Sequence, residues 1–472
     1  MELKIHFETL GCKLNQIESE SIAKSFLDLN FLCSMGGLTA KSLICNNTKL
    51  CIINTCTVTA KAEQKARRII RLMLEKFPLA AIIVTGCYAE VEQKSIEQID
   101  SRIACLKGTA KDSLADYPKI IFDYFSNIKE NYNPIDFATF LKSSFNKISL
   151  NHSIFRLSTD SFIHHSRASI KIQDGCGNNC AYCRIHIARG KPVSLEAKEV
   201  ISRVLQLEEA NQKEVVLTGV NLSQYRSKYL ENDIEEVLDF ADLLKILLEK
   251  TSRIYFRISS LYPDRVDSKL VPILKHERIC PHFHLSVQSG SNSILKSMNR
   301  TYTRDVIIEA AKNLRKVKPN CFLACDIIAG FPGETENDFL ESLELCKTCD
   351  FTWVHAFPFS PRPGTPAYSM KNKVPESITK SRVQKLTDFS KENKKNYLSS
   401  FIGKEIFGIV EKRRLPDLRV VTENFIHTII TNSKDFKNMD LGGKKVLLKI
   451  TELCNNSSQT EAPEAYGIIL KV

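Results

Sequence analysis

No apolar run in this chain approaches the roughly 20 residues that a membrane-crossing helix needs, so no spanning segment is expected. The first residues, MELKIHFETLGC, scatter charges among apolar side chains and do not read as a secretory signal. In that setting 16 cysteines point to a reducing cytoplasm, with thiols kept for metal rather than for disulfides. A further lack is local. Cys176, Cys180 and Cys183 stand as C-x3-C-x2-C, yet no fourth cysteine follows until Cys280. Zinc sites and ordinary four-iron clusters ask for four protein ligands. Two readings stay open. His186 completes a structural zinc knuckle, or the three thiolates hold a cubane with one iron left for a small molecule.

What is present bounds the rest. A chain of 472 residues holds two or three domains, and 43% hydrophobic with 25% charged residues is ordinary for a globular protein. Lys plus Arg exceeds Asp plus Glu by 66 to 54, a surplus of +12. That favours a polyanionic partner such as RNA, unless the surplus is only solvated lysine.

In chain order, Lys4 to Thr9, Leu50 to Asn54 and Ala80 to Thr85 read as strands, each followed by a loop and a helix. Ile103 to Gly108 reads as a last strand of the first domain. Repeated strand–loop–helix units imply parallel strands whose carboxyl-end loops gather on one edge, where ligands bind. Each of the first three strands delivers one cysteine to that edge: Cys12, Cys56 and Cys87. Residues 30–49 read as an insertion whose Cys33 and Cys45 are not ligands. Residues 126–167 read as a linker containing a helix.

From Ala168 the alternation resumes, with strands at Ala168 to Gln173, Glu214 to Thr218, Arg253 to Ser259, His282 to Val287, Phe322 to Ile328 and Thr352 to Phe357. Helices are expected at Leu195 to Ala210 and Ile234 to Glu249. Six strands with helices between them fit a partial barrel with its site at the carboxyl ends. Lys380 to Lys404 is a basic helix or linker, and Lys296, Arg300 and Arg304 face either phosphate or solvent. Five short strand-like runs between Glu405 and Leu470 suggest a small antiparallel barrel.

The cysteine stretch DGCGNNCAYC, with Tyr182 before the last cysteine, resembles the signature of radical S-adenosylmethionine enzymes. TLGCKLNQIESE, NTCTVTAKAEQKARR and TGCYAE resemble the three cysteine motifs of the methylthiotransferase family within it. The resemblance implies an α/β protein in parts. Residues 1–125 form a doubly wound sheet domain for an auxiliary cluster, and 126–167 a linker. Residues 168–395 form a partial (β/α)6 core, and 401–472 a TRAM-like antiparallel β-barrel for RNA. It implies two [4Fe-4S] clusters and S-adenosylmethionine. Cys12, Cys56 and Cys87 would hold the auxiliary cluster, and Cys176, Cys180 and Cys183 the radical one, with no catalytic residue beyond these ligands. By position, Tyr182, Thr218, Gly219, Asn221, Gln288, Ser289 and Gly330 would contact S-adenosylmethionine. One departure is Ile185-His186, where relatives have Ile-Pro.

The family chemistry is methylthiolation, with the auxiliary cluster supplying or carrying sulfur and a 5′-deoxyadenosyl radical abstracting hydrogen. The wording GCK-x-NQ and NTCTVT resembles the subfamily acting on N6-threonylcarbamoyladenosine next to the anticodon of tRNA. The alternatives are N6-isopentenyladenosine in tRNA, an aspartate of a ribosomal protein or, outside catalysis, an RNA-binding iron–sulfur redox sensor. The partners implied are tRNA and a flavodoxin- or ferredoxin-like electron donor. Arg184, Arg189 and Arg362 are the candidate cations for a substrate carboxylate.

Overall fold

A computed structural model describes residues 3–128, 132–147, 154–157, 167–231, 234–412, 417–437, 439–454 and 463–472. Two compact units result. The first takes Met1–Thr159, Asp174–Val193 and Ser360–Thr365; the second takes Asp160–Gln173, Ser194–Phe359 and Pro366–Val472.

The first unit is built on five parallel strands: β1 (Lys4–Thr9), β2 (Leu32–Met35), β3 (Thr48–Thr55), β4 (Ala81–Gly86) and β5 (Ile103–Cys105), in the order β2-β1-β3-β4-β5. Strands β4 and β5 are buried throughout and β3 almost so, as parallel strands covered on both faces are. The helix Lys13–Leu27 adds Ile22 and Phe26 to one core, which also takes Phe137 and Leu141 from the helix Pro134–Phe145. On the other face the helix Ala60–Lys76 adds Ala66, Ile69, Ile70 and Met73. The sheet is thus doubly wound. Residues 30–49 are not merely an insertion, because β2 lies within them and pairs with β1 from Lys4↔Leu32 to Phe7↔Met35. A four-residue edge strand exposed at Leu32 carries too little apolar pattern to be read from sequence. Of the expected linker, 129–131, 148–153 and 158–166 lie outside the described residues.

In the second unit β6 (Ala168–Asp174), β7 (Val193–Ser194), β8 (Glu214–Gly219) and β11 (Tyr255–Ile258) form a sheet in the order β11-β8-β6-β7. A second sheet runs β12 (Ser260–Leu261), β13 (His282–Gln288), β14 (Phe322–Ala329), β15 (Trp353–Pro358), all parallel. Only Ser259 separates β11 from β12, so one line of chain is the third strand of a six-stranded partial barrel. Between β8 and β11 stands a hairpin, β9 (Ser227–Glu231) with β10 (Ile234–Leu238). The helix expected from Ile234 therefore begins only at Phe240. Asp239 caps it, accepting from the Ala241 and Asp242 amides, while Asp242 returns a bond to the Asp239 amide. This reciprocal cap fixes the start, so the apolar residues before it are free to pair as a strand.

The C-terminal strands β16 (Glu405–Val410), β17 (Arg419–Thr422), β18 (His427–Ile430), β19 (Lys445–Leu453) and β20 (Ala465–Lys471) close in the order β16-β17-β18-β20-β19. All neighbours are antiparallel except β18 and β20. A closed ring of an odd number of strands cannot alternate throughout, so one parallel pair is a geometric necessity. Arg257 on β11 makes a bidentate pair with Glu214, at 2.7 and 2.9 Å, and reaches the Thr422 carbonyl of the small barrel at 3.4 Å. Glu464 of the small barrel pairs with Lys394 of the helix Glu376–Ser399.

A cavity of about 320 Å³ lies at the amino ends of β13, β14 and β15, walled by His282, His284, Phe322, Trp353, His355, Phe425, His427 and Glu464 among others. Burial pulls His355 down to about 4 and His427 down to about 3, and it holds His282 well below its ordinary value. In the unfolded chain each titrates near about 6.5. The unfolded state therefore binds protons first as pH falls. Stability from these groups is complete above about pH 6.5 and is lost progressively toward pH 4. Thermal unfolding between about pH 7.5 and 4.5 should show a falling midpoint, with a smaller fall in His427→Asn. An identical pH slope in that variant would remove His427 from the account.

Candidate functional site

In a doubly wound sheet of this order, ligands bind where the strand order reverses, between β1 and β3. Cys12 follows β1, Cys56 follows β3 and Cys87 follows β4, so the first two straddle that point. The turns are tight. Gly11 (φ +103) lies so close to Cys56 that an added Cβ would meet its Cβ at 2.7 Å and its Sγ at 3.1 Å. Gly86 (φ +94) would drive a Cβ into Asn54 and to 2.5 Å from the Thr55 carbonyl. Only glycine tolerates both the conformation and the approach. Asn15 bridges the strand ends, its Nδ2 donating to the Leu10 carbonyl at 2.8 Å and the Thr55 carbonyl at 3.1 Å.

Cys12 stands at the N-cap position of the helix Lys13–Leu27, and Cys87 is the first residue of the helix Cys87–Glu97. Cys56 is buried, and burial pushes its thiol up to about 11, with Cys87 and Cys12 adding like-charge repulsion. Such a group gives up its proton when a metal takes the charge. By contrast Cys33, also pushed up to about 12 by burial, points its Sγ at the Ala23 carbonyl, and Cys45 sits 3.4 Å from the Thr48 hydroxyl.

The loop Asp174–Val193 packs within this same unit. Gly175 (φ +69) lies against the Lys191 carbonyl, closing the loop on itself, and the Cys176 amide donates to the Gly190 carbonyl at 3.0 Å. The Asn178 amide points at Cys176 Sγ and the Ile185 amide at Cys183 Sγ, each at 3.4 Å. Amides aimed at sulfur are what a cluster thiolate uses. Cys180 is buried, while Cys176, Cys183 and Tyr182 are half-buried. Among the described residues no three His, Cys, Asp or Glu side chains are grouped around a single-ion position. A cubane asks for a wider set, since each thiolate binds a different iron. His186 lies in the short helix Ile185–Arg189, its buried Nδ1 without a hydrogen-bond partner among the described residues. Thiolates with amide donors at two of the three loop cysteines are a donor set of the kind an iron–sulfur cluster takes.

The three arginines expected to meet a substrate carboxylate are already engaged. Arg184 donates to Glu63 at 3.3 Å and Glu92 at 3.1 Å, and Arg362 donates to Glu63 and to Thr57 at 3.2 Å. Arg189 donates to both oxygens of Asp174 at 2.9 Å, to Glu18 at 3.4 Å, to Asn15 Oδ1 at 2.7 Å and, through Nε, to Cys87 Sγ at 3.3 Å. Burial opposes its charge, but Cys87, Asp174, Glu18 and Cys12 hold it well above its ordinary value. Sequence reading missed Asn15, Glu18 and Glu63; the only local sign was Asn15, one helical turn after Cys12.

In the second unit the positions matched to S-adenosylmethionine stand at the carboxyl ends of their strands. Thr218 and Gly219 end β8, and Asn221 takes the Gln173 side chain on its amide at 2.7 Å. Gln288 ends β13 at φ +73, followed by buried Ser289, whose Oγ meets Ser342 at 3.3 Å. Gly330 (φ +79) follows β14 and donates its amide to Glu334 at 2.6 Å. Arg300 is half-buried, with its guanidinium over Tyr262 and Tyr302, 4.6 and 5.0 Å from the ring centres. Lys296 is exposed. Arg304 donates to the Glu341 carbonyl at 3.0 Å.

Residues 170–346 match the radical SAM superfamily, and residues 4–108 match the uncharacterized protein family UPF0004. A threonylcarbamoyladenosine tRNA methylthiotransferase MtaB of Treponema pallidum is 42% identical over 89% of this chain and 93% of its own. The chain belongs to the radical SAM methylthiotransferases. The MtaB protein of Thermotoga maritima is 34% identical over 85% of each chain. A tRNA-2-methylthio-N(6)-dimethylallyladenosine synthase of Lawsonia intracellularis is 29% identical over 87% of this chain and 88% of its own. In fold, the chain resembles the radical S-adenosylmethionine methyltransferase TsrM of Kitasatospora setae, at TM-score 0.51 and 13% identity over 77% of this chain and 75% of that one.

Glu63 accepts from two buried arginines, and among the described residues it is the only carboxylate paired with Arg362, so Glu63→Ala leaves Arg362 uncompensated while Arg184 keeps Glu92. The loss should be about 3 to 5 kcal/mol, read by urea unfolding. A loss under about 1 kcal/mol would mean that Arg362 finds another partner.

Proposed function

We propose that this chain adds a methylthio group to C2 of N6-threonylcarbamoyladenosine next to the anticodon of tRNA. The observation that carries the reading is the 42% identity to an MtaB protein along 89% of the chain. On this reading Cys12, Cys56 and Cys87 hold an auxiliary [4Fe-4S] cluster, and Cys176, Cys180 and Cys183 hold the cluster that binds S-adenosylmethionine. When bound, these groups supply the sulfur to be transferred and a 5′-deoxyadenosyl radical.

The protein's own residues do the rest. Amides of Asn178 and Ile185 support the thiolates of the loop. Tyr182, Thr218, Gly219, Asn221, Gln288, Ser289 and Gly330 hold S-adenosylmethionine. The modules are 1–125, the linker 126–167, the core 168–395 and the RNA-binding barrel 401–472. Arg382 and Lys394 of the basic helix are buried in ion pairs, so Lys391 and Lys395, both exposed, are its groups for phosphate. A flavodoxin- or ferredoxin-like protein reduces the enzyme in the cytoplasm. No described helix is long and apolar enough to cross a membrane.

The substrate test incubates reconstituted enzyme with tRNA carrying threonylcarbamoyladenosine or isopentenyladenosine and reads the methylthio mass increment on the nucleoside. Product is expected from the first alone. Product only from the second overturns the substrate and keeps the reaction. Separately, the protein should bind about eight irons, and Ala at Cys176, Cys180 and Cys183 should halve that and abolish S-adenosylmethionine cleavage. Ala at Cys12, Cys56 and Cys87 should halve it and leave cleavage standing. A protein that takes up one zinc and no iron refutes the assignment.

A further inference from the structure

Arg189 belongs to the loop of the second triad, six positions beyond Cys183, yet its Nε–H points at Cys87 of the first, 3.3 Å away. A guanidinium carries five N–H donors in a fixed plane. Here the outer nitrogens are taken by Asp174, Glu18 and Asn15. These bonds hold the plane from both sides and leave Nε for sulfur. An arginine serving only as an ion pair would direct its donors to carboxylate and carbonyl oxygen, as Arg257 and Arg382 do. The side chain of Arg189 is 6% exposed, so its bond to sulfur is little shared with water. The potential of an iron–sulfur cluster follows its net charge, its solvent exposure and the hydrogen bonds to its sulfurs. A donor on a ligand thiolate favours the reduced form, which carries the extra negative charge.

We propose that Arg189 is a positioning residue that hydrogen-bonds the Cys87 ligand sulfur and raises the reduction potential of the auxiliary cluster. The proposal rests on the reading of Cys87 as a cluster ligand. The radical loop then acts on both clusters, since its cysteines hold one and its arginine sets the potential of the other. Glu18, paired with both Arg189 and Lys111, moderates the effect by countering the positive charge.

The experiment is a redox titration of reconstituted full-length protein, with the two clusters distinguished by EPR through the spectra of the two triple-Ala variants. In Arg189→Gln the auxiliary midpoint should move to lower potential while the radical cluster stays in place. Arg189→Lys, which keeps a charge but has no Nε–H in that plane, should recover only part of the shift. An unchanged auxiliary midpoint in Arg189→Gln overturns the proposal, as does an equal shift of both clusters, which marks a general loosening of the loop. Should Arg189→Gln lose iron, Glu18→Gln decides: the auxiliary midpoint should rise, and no rise overturns the proposal. If Ala at Cys12, Cys56 and Cys87 costs no iron, the ligand assignment itself fails, a result separable from the others.

Discussion

A buried guanidinium must be paired, and in the first unit three are buried along the cysteine edge. Leaving any one without its carboxylate costs several kcal/mol, more than a single exposed ion pair supplies. That constraint decides how distant pieces of sequence come to lie in one unit. The loop Asp174–Val193 brings Arg184 to Glu63 and Glu92, and Arg189 to Glu18. The short segment Ser360–Thr365 brings Arg362 to Glu63 and Thr57, across 305 positions of sequence. The Ser360 hydroxyl also accepts from the Ala60 amide at the start of the helix after Cys56. Cysteine placement thus depends on ion pairs that no cysteine makes.

The second unit handles polarity differently. Closed (β/α)8 barrels fill their interior with branched apolar side chains. The open six-stranded array here carries His284 and Asp326 on neighbouring strands, in contact at 3.2 Å, with Ser260 on the other imidazole nitrogen at 3.0 Å. A lumen of this kind is hydrated or occupied rather than packed. The amino ends of its strands are lined by Phe425 and His427 of the small barrel, with the Phe425 ring tilted against His282 at 4.4 Å between ring centres. Thr218, Gln288 and Gly330 stand at the carboxyl ends.

Legibility followed the range of the interaction. The doubly wound sheet and the partial barrel were readable because apolar runs, turn glycines and helical periodicity are local signals. The strand Leu32–Met35 escaped because an edge strand needs little burial. The helix expected from Ile234 was misjudged because Val237 and Leu238 suit either structure, and only the Asp239–Asp242 cap separates them. At the candidate site, the strand-end positions of Cys12, Cys56 and Cys87 could be read from local pattern. Their supporting residues could not. Arg184 meets Glu63 across 121 positions and Arg189 meets Glu18 across 171, and nothing in either neighbourhood marks the partner. The same three arginines looked like free cations in sequence, because a charge gives no local sign of whether it is already matched.

That matching bears on the net charge. Among the described residues nine lysines and arginines and ten aspartates and glutamates are buried, so interior charge nearly cancels. Buried charge among the described residues therefore contributes almost nothing to the surplus of +12. The surplus is not spread by composition alone. In the helix Glu376–Ser399 the buried Arg382 and Lys394 are neutralised by Glu334 and Glu464, and Lys380 and Lys385 face Glu376 and Glu336. The run that looked most basic in sequence contributes less free charge than its letters suggest. A phosphate backbone meeting this helix finds Lys391 and Lys395 on its exposed face, and affinity beyond those two contacts has to come from elsewhere on the surface.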